Sequence, residues 1–363
     1  MRAANQCLWL GLCLTLAPAV FASSGDRALG FQDCVSTCNR QLCRIPSPPP
    51  LAMALRLTGW TCLDDCKYKC MHMITNVAIE HNAPVEQYYG KWPFWRFAGM
   101  QEPASVLFSI LNLVAHYRGM RKIQVRVPDT HPMKKYYLGF ALASMNAWIW
   151  SSVFHTRGPL LFDFQTTHAE HALLLWYADL PITEKLDYFS AALAILYGLY
   201  YTAIRLFHLY PTDRHRLTTS AVSVPYSRRY VLWTCLCTFA FLAHIAYLSL
   251  LPRFDYTYNM IFNLAVGLTH NLLWVAYSLP APLNIIRRFP ALPRSYRPRC
   301  ASMPAMFALL TTAATALELF DFPPWGRIID AHSLWHLATV PIAVYWYDFL
   351  VEDSLDEGWR LKA

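Results

Sequence analysis

Long apolar stretches, separated by short polar and basic connections, dominate the chain after its first hundred residues. Most approach the roughly 20 residues that a helix needs to cross the hydrocarbon of a bilayer. No strand-like alternation and no glycine-rich nucleotide loop competes with this interpretation. The pattern predicts an all-α membrane protein with seven transmembrane helices. The predicted segments are Pro103–His116, Tyr136–Phe154, Leu186–Phe207, Tyr230–Leu251, Tyr256–Leu279, Met303–Leu319 and His332–Leu350.

Composition supports the membrane interpretation. The chain is 55% hydrophobic and only 15% charged, whereas soluble domains carry about a quarter charged residues. The net charge of +8 does not indicate a nucleic-acid partner, because the basic residues stand in short blocks between the apolar segments, where membrane topology explains them.

The N-terminal hundred residues have the features of a secreted domain. Residues 1–22 resemble a signal peptide, with Arg2, an apolar run and a small-residue cleavage site ending at Ala22; an uncleaved anchor is the alternative. Residues 23–100 form a predicted Cys-rich lumenal domain. Six of the 11 cysteines cluster there, which favours disulfides in an oxidising compartment over a zinc site. The spacing does not choose among the 15 possible pairings. These cysteines are Cys34, Cys38, Cys43, Cys62, Cys66 and Cys70.

Charge asymmetry between the connections predicts the orientation. Three alternate connections hold most of the basic residues that flank the apolar segments, and the other three hold few. The positive-inside rule then places the N-terminal domain in the lumen. The transmembrane domain would cover residues 101–351, and residues 352–363 would be a cytosolic tail.

Candidate chemistry converges at the predicted lumenal ends of three segments. Ser151 and His155 end the second segment at i, i+4 spacing, and His332 and His336 open the seventh at the same spacing. Asp187 begins the third segment. Ionisable residues inside spanning segments are candidates for function, and three histidines with one open position are typical of catalytic zinc. Each residue alone also has a structural interpretation, as an interfacial histidine or a helix-terminal acid.

Several long motifs resemble one known family. The resemblance runs from about Asp33 to Ser354. The motifs are Cys62–Cys70, Gly90–Phe94, Gln101–Ser105, Asn146–Trp148, Trp150–Arg157, Thr183–Phe189, Arg253–Tyr256, Asp321–Pro324 and Asp330–His336. They are similar to those of the Per-like family, the post-GPI-attachment-to-proteins factor 3 lipid-remodelling enzymes, which belong to the CREST superfamily of seven-helix membrane hydrolases.

The resemblance implies a function and a set of roles. The implied reaction is removal of the sn-2 acyl chain from the lipid of GPI-anchored proteins, a phospholipase A2 step in the endoplasmic reticulum or Golgi. His155, His332 and His336 would be the ligands of a zinc ion. Ser151 and Asp187 would be the remaining catalytic residues: Asp187 as general base, Ser151 as hydrogen-bond donor to the developing oxyanion.

One segment departs from the family pattern. Residues 158–178 separate the His-Thr-Arg motif from the Thr-Glu-Lys motif, which family members join by a short link. The segment is a lumenal insertion or a translated intron, and we favour the second. Its His168 and His171 are spaced i, i+3, but we do not expect them to bind the metal.

Two other functions remain open from the sequence. One keeps the metal site and changes the substrate to a ceramide amide. The other is a seven-helix receptor or a chaperone of GPI-anchored proteins, in which the metal would be structural.

Overall fold

The structure is a computed structural model that describes residues 23–157, 182–210 and 227–359, apart from 252, 288, 290, 291 and 294. The predicted signal peptide, the segment 158–178 with His168 and His171, and the last four residues of the predicted tail lie outside the described residues. The chain divides into two compact units. The described residues of the first unit are 23–51 and 61–93, and the second unit comprises 52–60 and the chain from Phe94 onward.

Three disulfides organise the first unit. Helix α1 (Leu29–Cys38) ends in a wider helical turn, Asn39–Cys43, and faces the long helix α3 (Cys62–Glu80). The cysteines pair in nested order: Cys34–Cys70, Cys38–Cys66 and Cys43–Cys62. The i, i+4 spacing places the three cysteines of α3 in one row along a helix face, and the nested order shows that α1 runs antiparallel to α3 along this row. The disulfide-rich N-terminal region predicted from the sequence is thus confirmed, and its pairing is resolved.

The second unit is helical. A short helix, α2 (Met53–Leu57), belongs to it. Seven long helices follow in the described part of the chain, one at each predicted apolar segment. They are α4 (Pro103–Arg126), α5 (Lys134–Thr156), α6 (Ile182–Leu206), α7 (Arg228–Leu250), α8 (Tyr256–Ser278), α9 (Met303–Leu319) and α10 (Ala331–Leu355). The described residues contain no β-strand, only isolated bridges such as Tyr88 with Lys91.

Six of these helices close into a ring. Around the ring, α4 packs on α5, α5 on α6, α6 on α8, α8 on α9, α9 on α10, and α10 again on α4, while α7 packs against α6. An aromatic core, including Tyr137, Tyr201, Trp274 and Tyr347, fills part of the interior. The ring therefore brings the beginning of α10 beside the end of α5, although 175 residues separate His332 from Arg157 along the chain.

Among the described residues, four helices are long and apolar enough to cross a membrane: Ile182–Leu206, Arg228–Leu250, Tyr256–Ser278 and Arg299–Leu319. On α7 the large side chains of Leu232, Phe239 and Leu242 are 58–70% exposed, as expected for a surface that faces lipid rather than water. The described chain is thus a mostly helical membrane protein. That all seven helices span the bilayer remains a prediction.

The ends of two helices differ most from the sequence prediction. Helix α4 continues ten residues beyond the predicted end at His116, to Arg126. The extra turns carry Arg118, Arg121 and Lys122, whose long side chains can place their charges at a membrane surface while the helix continues. At the other end of the chain, α10 runs to Leu355, so part of the predicted tail is helical.

Candidate metal centre

The candidate centre lies where α4 and α10 begin and α5 ends. The backbone N–H groups of Gln101 and Glu102 donate to the carbonyls of Thr156 and His155, at 2.8 and 3.1 Å. These bonds satisfy carbonyls that the end of α5 would otherwise leave unpaired. Pro103 at the first position of α4 needs no such partner, because proline has no N–H to satisfy.

A capping box fixes the beginning of α10. The carboxylate of Asp330 accepts from the N–H of Ser333 at 2.8 Å, and the Ser333 hydroxyl lies 3.0 Å from the N–H of Asp330. This pair sets the start of the helix and so the register of His332 and His336, which follow within the first two turns.

The structure brings together the three histidines predicted from the sequence. His155, His332 and His336 each offer a ring nitrogen, and these nitrogens lie within 4.8 Å of one another. The Nε2 atoms of His155 and His332 are 3.2 Å apart. His155 and His336 are 3% and 1% exposed, but the side chain of His332 is 33% exposed. The cluster is therefore enclosed on two sides and open beside His332.

Each histidine has a second partner on its other ring nitrogen. Nδ1 of His155 lies 2.8 Å from a carboxylate oxygen of Glu102, and Nδ1 of His332 lies 2.6 Å from one of Glu318. Nδ1 of His336 lies 3.0 Å from the hydroxyl of Ser109. All three rings thus direct Nε2 away from these partners.

Ser151 belongs to the same hydrogen-bond network. Its hydroxyl lies 3.0 Å from that of Ser109, and Ser109 also donates to the carbonyl of Ser105 at 2.7 Å. Both hydroxyls are buried. Ser151 is therefore connected to His336 through Ser109, one turn before His155 on the same helix.

Asp187 is placed differently from the histidines. It lies in the second turn of α6 and is half-buried. The cluster of close ligand atoms in the described chain contains histidines only. Asp187 thus stands outside the cluster. It lies near the beginning of α6, the helix that follows α5 around the ring.

The donor set fits a zinc ion. Tetrahedral zinc with Zn–N bonds of 2.0–2.1 Å requires nitrogen ligands roughly 3.3 Å apart. The Nε2 atoms of His155 and His332 are 3.2 Å apart, and all three ligand nitrogens lie within 4.8 Å of one another. Three imidazoles leave one position for water or substrate. The partners on Nδ1 are those that zinc-bound histidines usually have.

Sequence reasoning missed three residues of this network: Glu102, Ser109 and Glu318. Glu318 had a usable signal, because it is an ionisable residue inside an otherwise apolar segment. Glu102 stands directly before a helix-starting proline, but its approach to His155 depends on how α4 packs on α5. Ser109 gives no signal of its own, since a serine in an apolar helix usually bonds to its own backbone.

Comparison with known proteins shows the family to which the chain belongs. The fold and centre define a helical membrane protein with a possible three-histidine metal site. The Per1-like family matches residues 52–169 and 171–354. The chain belongs to this family, as the sequence motifs predicted.

Full-length relatives agree with this assignment. The chain is 39% identical to Protein PER1 homolog of Schizosaccharomyces pombe, over 98% of this chain and 96% of the relative. It is 37% identical to GPI-specific phospholipase A2-like PGAP3 of Xenopus laevis, over 95% and 94% of the two chains. For the Homo sapiens protein of the same name the identity is 36%, over 92% and 90%. No solved structure matches the chain.

Proposed function

We propose that this chain is a zinc-dependent phospholipase A2 that removes the sn-2 acyl chain from the lipid of GPI-anchored proteins, at the lumenal face of the endoplasmic reticulum or Golgi membrane. The observation that carries the proposal is the cluster of His155, His332 and His336 in a chain whose relatives are named GPI-specific phospholipase A2-like. Those names specify a phospholipase, so neither the ceramidase nor the receptor alternative is favoured.

The domain organisation belongs to the same proposal. Residues 1–22 would be the signal peptide, 23–100 the Cys-rich lumenal domain, and 101–351 the seven-helix hydrolase domain, with the cytosolic tail after it. The exposed side of His332 would face the lumenal leaflet, from which a lipid substrate can enter sideways between helices.

The three histidines would hold the metal through Nε2. A zinc ion bound in this way supplies a Lewis acid for the ester carbonyl and lowers the pKa of water to about 7. Asp187 would take a proton from the attacking water and return it to the glycerol oxygen as the ester C–O bond breaks. The products are a free fatty acid and a lyso-GPI, so one water is consumed for each ester cleaved.

Ser151 would donate a hydrogen bond to the oxyanion that develops on the carbonyl. In the structure its hydroxyl lies 3.0 Å from that of Ser109. If His336 donates Nδ1–H to Ser109 and Ser109 donates to Ser105, the remaining lone pair of Ser109 accepts from Ser151. Ser151 must then turn its hydroxyl from Ser109 toward the substrate. We therefore expect Ser151→Ala to lower kcat while the protein still binds zinc.

Lipid analysis of GPI anchors in cells that lack this protein tests the proposal. The cells are rescued with wild type, with His332→Ala, or with His81→Ala, which removes an exposed histidine of the disulfide unit. Wild type and His81→Ala should restore lyso-GPI formation, and His332→Ala should not, at equal expression. Equal rescue by His332→Ala would show that the histidine cluster is not the catalyst and would favour a chaperone or receptor.

A further inference from the structure

In each of the three histidines, the outer partner contacts Nδ1. Nδ1 of His155 faces Glu102 at 2.8 Å, and Nδ1 of His332 faces Glu318 at 2.6 Å. An ionised carboxylate can only accept a hydrogen bond, so each of these rings must carry its proton on Nδ1. The tautomer of both histidines is then fixed, and the lone pair of each Nε2 points into the cluster.

Two ring nitrogens that face each other at short distance need a proton or a metal ion between them. The Nε2 atoms of His155 and His332 are 3.2 Å apart. If both were unprotonated and nothing lay between them, their partial negative charges would repel each other. A metal ion removes that repulsion, and two carboxylates on the far sides of the rings match the two positive charges of a divalent ion. The two glutamates therefore fix the orientation of the rings and favour a divalent cation between them.

The two carboxylates are not equivalent. The side chain of Glu102 is 6% exposed, while that of Glu318 is 41% exposed. A charged hydrogen bond in a dry surrounding is stronger than one screened by water. Loss of Glu102 should therefore disturb the site more than loss of Glu318.

We propose that Glu102 and Glu318 are positioning residues of the metal centre: they hold His155 and His332 in the Nδ1–H tautomer with Nε2 facing the ion, and Glu102 contributes the larger part of the affinity for the metal. This inference rests on the proposed function only in taking the three histidines as zinc ligands. It concerns metal binding and does not depend on the substrate.

Zinc affinity of the purified full-length protein in detergent micelles is the direct test. The variants are Glu102→Ala, Glu102→Gln and Glu318→Ala. The control is Glu352→Gln, an exposed glutamate in the last turn of α10, far from the histidines along that helix. Affinity is measured by competition with a zinc chelator, and the melting temperature of the metal-free protein is measured in parallel.

We expect Glu102→Ala to weaken zinc binding about 10–100-fold, the usual effect of removing such a partner. Glu102→Gln should fall between wild type and Glu102→Ala, because an amide oxygen still accepts from Nδ1–H but carries no charge. Glu318→Ala should lose less than Glu102→Ala, and Glu352→Gln should match wild type. With Co²⁺ in place of zinc, the visible absorption bands of Glu102→Ala should shift, since the orientation of a ligand has changed.

The inference is overturned if Glu102→Ala binds zinc as tightly as wild type, or if Glu318→Ala loses as much as Glu102→Ala. It is also overturned if Glu102→Ala and Glu102→Gln lose the same amount of zinc affinity and both metal-free proteins melt at a lower temperature than wild type. That pattern would indicate a folding defect. Failure of wild type itself to bind zinc would instead overturn the metal-dependent function.

Discussion

The contact between α4 and α10 depends on a glycine, and replacing it should destabilise the helical unit. A Cβ on Gly119 would overlap the ring of Tyr347. Tyr347 is fully buried, and its hydroxyl lies 2.9 Å from Nδ1 of His116. Carbon atoms need about 3.5 Å between them, so Gly119→Ala forces this ring or its helix to move by roughly 1 Å or more.

A matched control isolates that cost. Gly267 is also inside a helix, but a Cβ there would come no closer than 3.9 Å to another side chain, that of Ile195. Both substitutions gain about 0.5–1 kcal/mol of helix propensity, which cancels when they are compared. The remaining difference is the overpacking cost, about 1–3 kcal/mol, with Gly119→Ala the less stable variant.

Thermal unfolding of the two purified variants in the same detergent measures this difference. At roughly 2 °C per kcal/mol for a protein of this size, Gly119→Ala should melt about 2–6 °C below Gly267→Ala. Zinc affinity should fall with it, because α10 carries His336. Equal melting temperatures would refute the packing of α4 on α10 at this position.

Three further predictions concern other parts of the chain. Replacing the Cys38–Cys66 pair by serines removes the middle bridge of the nested set and should cost the disulfide unit about 2–3 kcal/mol, measured by resistance to proteolysis. Asp353→Asn leaves the buried Arg205, now paired at 2.7 and 2.8 Å, without its counter-charge, which should cost about 3–5 kcal/mol in thermal unfolding. Burial lowers the pKa of His131 from 6.5 to about 4, so the unfolded chain binds more protons than the folded chain between these pH values. Acidification from pH 7 to 5 should therefore lower the free energy of unfolding by about 2 kcal/mol. His131→Gln should remove this pH dependence.

Each of these predictions has a control and a contrary result. Unchanged proteolysis after loss of the cysteine pair would contradict the pairing. The control for Asp353→Asn is Asp348→Asn, which breaks a half-exposed pair with Lys122 and should cost no more than about 1 kcal/mol. If Asp353→Asn costs no more than this control, Arg205 is not left buried without a counter-charge. The same pH slope in His131→Gln as in wild type would assign the titration to another group.

Local patterns in the sequence predicted the helices and the histidine cluster well. The i, i+4 spacing of His332 and His336, together with the position of His155 at a helix end, needs only helix geometry and the order of the segments. The outer partners could not be predicted in this way. Glu102 reaches His155 because α4 begins where α5 ends, and Glu318 reaches His332 across the turn between α9 and α10; both contacts depend on packing that no single segment encodes.

The disulfides also combine a feature that the local sequence shows with one that depends on how the helices pack. The row of Cys62, Cys66 and Cys70 on one helix face was visible in the sequence. Which partner each cysteine takes depends on the direction in which α1 crosses α3, and the structure supplies that direction with the nested pairing.

Hydrolysis by the purified protein in lipid vesicles tests the central proposal most directly. A GPI-anchored protein is supplied as substrate, zinc is removed with a chelator and then restored, and the released lipids are identified. We predict that one fatty acid is released from the sn-2 position for each lyso-GPI formed, that release stops without zinc and resumes when zinc returns, and that His332→Ala releases none. Release that continues without zinc, or that persists in His332→Ala, would contradict a metal-dependent hydrolase built on this histidine cluster.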